Sequence, residues 1–272
     1  MKVLLATNGS QGVVALRELF SLGYDTKDVI VVLSSGANEP IIEFLKFNKM
    51  PIRIISSGGE FDELIRSIKV RGAFLLSISW AYKFSEYAIK SFSNKMINFH
   101  PGLLPNYKGC YSTSWSLINN EQYVGYTYHF INSEYDEGNI LLMDKIKINS
   151  NDTAHSLHYK IFQQGLREIG KVLSLINTDG EKQSDEGTFY PNKLPYNGVV
   201  DSDWDIATVN NFVRAMYFPP FKPAVIIKDG KETSGKKKYI EYRKWFCEKF
   251  IIKKIMKIPS GAFSSTGTKT VC

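Results

Sequence analysis

The chain has 272 residues, of which 43% are hydrophobic, and a formal net charge of +7. This suffices for one large or two modest domains with a hydrophobic core, and no apolar run approaches the roughly 18 residues that a membrane-spanning helix needs. Three scattered cysteines without CxxC spacing support neither a disulfide framework nor a structural zinc site, so we expect no metal. The apolar run at residues 3–7 is too short for a signal peptide, which predicts a cytoplasmic location.

The positive charge is concentrated near the C-terminus. Residues 228–269 contain twelve Lys or Arg and four Asp or Glu, a local excess of eight, which leaves the rest of the chain at −1. Such a block is either a solvated face or a surface that attracts phosphates, nucleic acid or an anionic membrane. We favour a solvated face, with a phosphate-bearing substrate as the main alternative.

The first 150 residues alternate short apolar runs with amphipathic stretches. The runs predict strands at residues 3–7, 29–34, 52–56, 73–79 and 95–99. The amphipathic stretches predict helices at residues 13–22, 40–48, 61–70 and 85–91. Buried runs rich in Val, Ile and Leu, separated by helices, are typical of a parallel sheet covered on both faces. The sequence therefore predicts an α/β, doubly wound, Rossmann-like fold with a mostly parallel sheet.

Beyond the fifth strand the pattern changes. Residues 124–131 and 140–148 predict an antiparallel pair, followed by a long helix to residue 176 with Asp152 or Thr153 as its N-cap. Residues rich in Asp, Gly, Asn and Pro then predict a linker or excursion at 177–205. The remaining elements are a helix at 206–216 and a β-hairpin with strands at 224–228 and 238–245. We therefore predict a main domain at residues 1–190 and a small hairpin-containing subdomain at 191–272.

A polar pair lies at the end of the fifth predicted strand. Asn98 and His100 are two residues apart, so in a strand both side chains point to the same face. In open α/β sheets, ligands bind outside the carboxyl ends of the strands. The turns at residues 8–12 and 79–82 also follow strands, so we expect three loops to meet at one crevice. The turn at 8–12 matches neither a P-loop nor GxGxxG, but it could present backbone N–H groups to an anion.

The other three histidines, His129, His155 and His158, are interpreted as structural. His129 alternates within a predicted strand, and the remaining two are close together on a helix without a carboxylate or cysteine partner. That pattern does not favour a metal site.

Two segments together resemble a known signature. Asn98-Phe99-His100-Pro101-Gly102-Leu103-Leu104-Pro105 and Tyr107-Lys108-Gly109, followed by Asp136-Glu137-Gly138, are similar to the motifs of the 10-formyltetrahydrofolate-dependent formyltransferases. The resemblance covers residues 1–176. The family pattern usually has Ser in place of Gly102 and Arg in place of Lys108, and neither change removes a catalytic group.

The resemblance implies a reaction and its catalytic residues. An amine would attack the formyl carbon of 10-formyltetrahydrofolate, with Asn98, His100 and Asp136 acting as a unit. Asn98 and His100 can donate to the developing oxyanion, and His100 can accept the proton of the amine near neutral pH. Asp136 would orient or stabilise His100. The sequence leaves open which of His100 and Asp136 is the ultimate base.

The same resemblance implies the binding residues. The folate slot would be lined by Tyr82, Lys83, Phe84, Leu103, Leu104, Asn132, Ser133, Glu134 and Tyr135. The candidates for the second substrate are Asn8, Ser10, Lys108, Arg214, Tyr217, Phe221 and Lys222, with Arg214 and Lys222 proposed for a diphosphate and the aromatic side chains for a base or hexose.

Three branches of the family differ in the acceptor, which is methionyl-tRNA, glycinamide ribonucleotide or a nucleotide-linked amino sugar. Residues 214–224 are similar to a segment that follows the catalytic domain in sugar N-formyltransferases, so we expect an amino-dideoxyhexose linked to dTDP, with UDP left open. The alternative is a formyltransferase that acts on glycinamide ribonucleotide or methionyl-tRNA. The product would serve O-antigen or other surface polysaccharide synthesis. A homodimer formed through the hairpin is expected. A nucleic-acid-binding module is disfavoured because the basic tail lacks a recognisable RNA-binding motif.

Overall fold

A seven-stranded sheet forms the centre of the protein. The computed structural model describes residues 2–68, 70–201, 203–228 and 231–234. Its strands are Val3–Thr7 (β1), Val29–Ser34 (β2), Ile54–Ile55 (β3), Phe74–Ile78 (β4), Met96–His100 (β5), Lys108–Gly109 (β6), Tyr123–Phe130 (β7), Ile140–Lys147 (β8), Phe189–Tyr190 (β9), Val199–Val200 (β10), Val225–Lys228 (β11) and Lys231–Ser234 (β12). The order in the main sheet is β3-β2-β1-β4-β5-β7-β8.

Helices cover both faces of this sheet. They are Ser10–Ser21 (α1), Glu39–Phe47 (α2), Gly58–Ser67 (α3), Glu86–Ser91 (α4), Ser112–Ile118 (α5), Ala154–Gly165 (α6), Ile169–Ser174 (α7) and Ile206–Ala215 (α8). Strands β1 to β5 pair in parallel, whereas β7 is antiparallel to both β5 and β8. The predicted mostly parallel, Rossmann-like sheet is confirmed. Helix α5 and the short strands β6, β9 and β10 were not predicted.

The apolar runs of the sequence are explained by burial on two faces. Leu5 packs in the core cluster that includes Leu16 of α1 and Leu157 of α6. Its neighbour Leu4 packs in the cluster on the other face, with Phe61 of α3. A strand buried on both sides favours apolar residues at nearly every position, which accounts for the apolar runs. Each fully buried side chain of this size contributes about 1.5–3 kcal/mol.

The prediction of one long helix up to residue 176 was wrong. Thr153 caps α6 as expected, and its side chain accepts a hydrogen bond from the Ser156 N–H in a capping box. The helix ends at Gly165, and a 3₁₀ turn at Leu166–Glu168 precedes α7. A Cβ on Gly165 would lie 2.3 Å from a ring carbon of Phe99, so only glycine allows this close approach to the sheet.

The chain after α7 folds back onto the sheet. The predicted linker or excursion pairs with β8 through a bridge between Ile140 and Glu181, and with β6 through β9. Phe212 of α8 is buried in the same core cluster as β1. A hairpin forms from β11 and β12, but its second strand, Lys231–Ser234, lies between the two predicted strands. The expected strand at 238–245 and most of the basic block lie outside the described residues. The boundary at residue 191 stays a prediction.

Two further observations concern the described residues only. None of their helices is both long and apolar enough to pass through a membrane. They also contain no group of three or more His, Cys, Asp or Glu side chains that is arranged to hold a metal ion.

Candidate active site

The site is built on the carboxyl end of β5. Asn98 is opposite Ser77 of β4 on one side and opposite His129 of β7 on the other. Because β1, β4 and β5 are adjacent and parallel, the loops that follow them lie at the same edge of the sheet. The strand order thus places the three loops at one edge of the sheet, as expected, and their meeting at one crevice stays a prediction.

The structure brings the three predicted catalytic residues together. Asp136 has a left-handed backbone (φ 57°), and its carboxylate lies between two histidine rings. Its Oδ2 is 3.4 Å from His100 Nδ1, and its Oδ1 is 3.4 Å from His129 Nε2. The Gly109 N–H donates to Oδ2 at 2.8 Å, and Asn98 Nδ2 is 3.5 Å from Oδ1.

The amide of Asn98 is oriented by its neighbours across the sheet. Ser77 Oγ donates to Asn98 Oδ1 at 2.9 Å, and Asn98 Nδ2 lies 3.2 Å from His129 Nε2. An amide nitrogen carries two hydrogens. One of them points to His129, while the distance of 3.5 Å to Asp136 is at the outer limit for a hydrogen bond. The second hydrogen is therefore only weakly bonded to Asp136.

Backbone carbonyls select the tautomers of the two histidines. His100 Nε2 is 2.8 Å from the Tyr107 carbonyl oxygen, and His129 Nδ1 is 2.7 Å from the Phe130 carbonyl oxygen. A carbonyl oxygen only accepts hydrogen bonds, so both of these nitrogens carry a proton. The other nitrogen of each ring faces Asp136. A proton that enters this cluster is thus shared between the carboxylate and a ring.

Burial and charge set the protonation states of the pair. Burial lowers the pKa of His100 below its usual range and outweighs the opposing effect of Asp136. Burial alone would raise the pKa of Asp136, but His100, His129 and the Gly109 N–H together lower it well below its usual range. At neutral pH, His100 is therefore a neutral base beside an ionised carboxylate that stabilises the imidazolium.

The interpretation of His129 as purely structural requires correction. Its side chain is only 3% exposed and contacts both Asn98 and Asp136. The sequence contained a signal for this, because an antiparallel pair of β5 and β7 in the right register places His129 directly opposite Asn98. That register could not be read without knowing that these two strands are neighbours.

The residues predicted to line the folate slot lie on loops that meet. The Lys83 ammonium is 5.0 Å from the ring centroid of Tyr135, which joins the loops after β4 and β7. Tyr82 hydrogen-bonds Ser35 through its hydroxyl, and Phe84 stacks on Trp80 at 5.8 Å. The other predicted residues lie on the same loops or on the turn after β5, namely Leu103, Leu104, Asn132, Ser133 and Glu134. Their contacts to folate stay a prediction.

The predicted acceptor-binding residues are in different environments. Lys108 Nζ is 3.0 Å from Glu137 Oε1. The Arg214 guanidinium donates to Asn211 Oδ1 and to two backbone carbonyls. Ser10 begins α1 and is exposed, as are Phe221 and Lys222, whereas Tyr217 is buried. The charged groups of Lys108 and Arg214 are thus already bound to other groups of the protein. Their roles toward a substrate stay predictions.

Two buried polar atoms lie at the crevice, one on Asn8, a predicted acceptor-binding residue, and one on Trp80, which was not predicted. Within the described part of the chain, Asn8 Oδ1 after β1 and Trp80 Nε1 after β4 have no hydrogen-bond partner. Buried polar groups are almost always paired with protein, water or ligand. These two atoms are therefore available to water or to a polar ligand.

The family follows from a comparison with known proteins. A family model for formyl transferases matches residues 28–173, which is more than half of the chain. The chain belongs to the formyl transferase family. In this member of the family, the three signature side chains lie within one hydrogen-bonded cluster, as described above.

Individual relatives support the same assignment. The chain is 42% identical over 137 residues to a GDP-perosamine N-formyltransferase of Brucella melitensis, which covers 50% of this chain and 53% of that protein. The chain thus matches about half the length of that curated relative.

Solved structures share the fold. WlaRD, a sugar 3N-formyl transferase with dTDP and 5-N-formyl-THF, superposes with a TM-score of 0.70 at 20% identity, over 85% of this chain and 84% of its own. An N-formyltransferase of Helicobacter canadensis, in complex with folinic acid and dTDP-3-aminofucose, gives a TM-score of 0.69 at 18% identity, over 85% and 86%. At these identities the likeness establishes the fold alone.

Proposed function

We propose that the protein transfers a formyl group from 10-formyltetrahydrofolate to the primary amine of a nucleotide-linked amino sugar. The observation that carries the proposal is the buried cluster of Asn98, His100 and Asp136 at the carboxyl end of β5. In a member of the formyl transferase family, a neutral histidine beside an ionised carboxylate supports acid–base chemistry on an amine.

The geometry supports a direct transfer. The amine nitrogen forms a bond to the formyl carbon, and the formyl oxygen becomes an oxyanion that the side-chain amide of Asn98 stabilises. His100 and Asp136 together accept the proton that the amine loses. The bond from the formyl carbon to the folate nitrogen then breaks, the electron pair stays on that nitrogen, and the proton is delivered to it. The products are a formamido sugar and tetrahydrofolate.

The names of the relatives support an amino sugar as the acceptor. The Brucella relative is named for GDP-perosamine, and the two structural neighbours are described with dTDP or a dTDP-linked amino sugar. We propose a nucleoside-diphosphate sugar, with dTDP as the nucleotide predicted from the sequence and GDP as the one named by the more similar relative. We also propose that a cytoplasmic homodimer supplies this product to surface polysaccharide synthesis.

An acceptor panel tests the proposal. The full chain is incubated with 10-formyltetrahydrofolate and amino sugars linked to dTDP, GDP or UDP, with glycinamide ribonucleotide and methionyl-tRNA as control acceptors. Mass spectrometry detects the formylated product. We expect product from at least one amino sugar and from neither control. Product from a control alone would overturn the sugar assignment.

A further inference from the structure

The segment at residues 181–190, here called the overlying segment, crosses two loops of the site. The first is the Tyr107 loop, residues 105–110, and the second is the Asp136 loop, residues 131–139. The overlying segment follows the end of the family match at residue 173. Its polar composition predicted a linker or excursion. In the structure, it forms hydrogen bonds to the backbone of the two loops next to the catalytic side chains.

Gln183 bonds directly to the Asp136 loop. Its Nε2 donates to the Asp136 carbonyl oxygen at 2.8 Å and to the Gly138 carbonyl oxygen at 2.7 Å. Gln183 is buried, with 8% of its surface exposed. Both hydrogens of its amide are thus used on carbonyls that flank Glu137. Asp136 itself has a left-handed backbone, a conformation that non-glycine residues keep only when their surroundings hold it.

The overlying segment also bonds to the Tyr107 loop. Thr188 accepts two hydrogen bonds at 2.9 Å, from the Tyr107 N–H through its Oγ1 and from the Lys108 N–H through its carbonyl. The Tyr190 carbonyl accepts the Cys110 N–H at 2.8 Å. A Cβ on Gly109 would lie 2.2 Å from the Tyr190 carbonyl oxygen, so the two strands are in close contact at a glycine.

These two loops orient the acid–base pair. The Tyr107 loop supplies two hydrogen-bonding groups. The Tyr107 carbonyl accepts a hydrogen bond from His100 Nε2, and the Gly109 N–H donates to the Asp136 carboxylate. The Asp136 loop carries the carboxylate. The distance of 3.4 Å between His100 Nδ1 and Asp136 Oδ2 therefore depends on how the two loops lie relative to one another.

We propose that the overlying segment fixes the acid–base pair from outside the signature, with Gln183 as the positioning residue for Asp136 and Thr188 as the one for the Tyr107 loop. The inference rests on the proposed function for its effect on turnover. Without the Gln183 amide, the Asp136 and Gly138 carbonyls lose this donor and the Asp136 loop relaxes. The carboxylate then moves away from His100 and Gly109, which are the groups that stabilise its charge.

The test uses Gln183→Leu, a change that keeps the approximate volume and removes both N–H groups. The matched control is Ser184→Ala, because the Ser184 hydroxyl donates to the Glu186 carbonyl within the overlying segment. With the best acceptor of the panel, we expect kcat of Gln183→Leu to fall by about 10-fold or more, as for a displaced catalytic group. We expect KM values close to those of the wild type. We also expect the acid limb of the pH profile of kcat to lie at higher pH than in the wild type. Ser184→Ala should match wild type in all three.

A substrate-free measurement separates this inference from the proposed function. In the ligand-free protein, a ¹⁵N NMR pH titration of the His100 ring reports its distance from the carboxylate. The titration should shift in Gln183→Leu and stay unchanged in Ser184→Ala. If Gln183→Leu does not fold, Thr188→Val is used instead. It removes the hydroxyl that accepts from the Tyr107 N–H, and it should also shift the His100 titration. An unchanged His100 titration in a folded Gln183→Leu or Thr188→Val protein would overturn the inference, even if the wild type formylates no acceptor in the panel.

Discussion

The polar side chains around the carboxyl ends of the parallel strands form two regions that differ in their hydrogen bonding. In the cluster at β5 and β7, the side chains of Asn98, His100 and Asp136 all have partners within the protein. At β1 and β4, by contrast, Asn8 Oδ1 and Trp80 Nε1 are buried without a partner among the described residues. The acid–base groups are thus held in place by hydrogen bonds within the protein. The two crevice atoms remain available to hydrogen-bond a ligand.

Removing a member of the cluster should have the largest effect. We expect Asn98→Ala, His100→Ala and Asp136→Ala each to lower kcat by about 10²-fold or more, as for loss of an oxyanion donor or an acid–base group. Steady-state kinetics with the best acceptor measure this, and circular dichroism verifies the fold of each variant. Near-normal turnover in all three would refute the assignment of the cluster.

A smaller effect is expected for His129, which contacts the cluster from β7. His129→Phe keeps a flat ring but removes both nitrogens, so Asp136 loses a neighbour that lowers its pKa. We expect kcat to fall by about 10-fold and the acid limb of its pH profile to move to higher pH. His155→Phe, a change at an exposed histidine of α6, is the control. A pH profile identical to wild type in His129→Phe would contradict this role.

Changes in the crevice should affect binding rather than turnover. Trp80→Phe keeps most of the ring contacts with Phe61 and Phe84 but removes the unpaired N–H. We expect KM for one of the two substrates to rise by roughly 2- to 10-fold, the value of one hydrogen bond, with kcat nearly unchanged. The ligand-free protein should melt no lower than wild type. A drop in kcat without any change in KM would contradict the division into two regions.

The smallest effect concerns stability below neutral pH. His158 of α6 is bonded to Gln11 of the crevice, and burial lowers its pKa to about 4. Because its pKa is lower in the folded than in the unfolded state, protonation favours unfolding, and stability is lost as the pH falls from about 6.5 toward 4. Between pH 7 and pH 5 this group should cost about 1–2 kcal/mol.

Urea unfolding at the two pH values measures the contribution of His158. His158→Leu should lose less stability on acidification than wild type, while the pH profile of its kcat stays the same. Equal losses in both proteins would show that His158 is not the titrating group.

The sequence predicted most of the fold because the buried strands are local, continuous apolar runs. It also predicted that Asn98 and His100 lie on the same face, since residues two apart in a strand point to the same side. Asp136 could be placed only through the family resemblance, because its position depends on a loop. The role of His129 depends on the register between β5 and β7. The role of Gln183 depends on hydrogen bonds from its side chain to backbone atoms that are far away in sequence. Neither contact leaves a periodic signal.

The central claim is that the buried pair of His100 and Asp136 performs the proton transfer of a formyl transfer to an amino sugar. Asp136→Asn tests it most directly, because the amide has nearly the same shape as the carboxylate but cannot carry its charge. The rate of formamido-sugar formation is measured by mass spectrometry at saturating 10-formyltetrahydrofolate and acceptor. We predict a loss of about 10²-fold or more relative to wild type, with a native circular dichroism spectrum. A rate close to wild type would contradict the account.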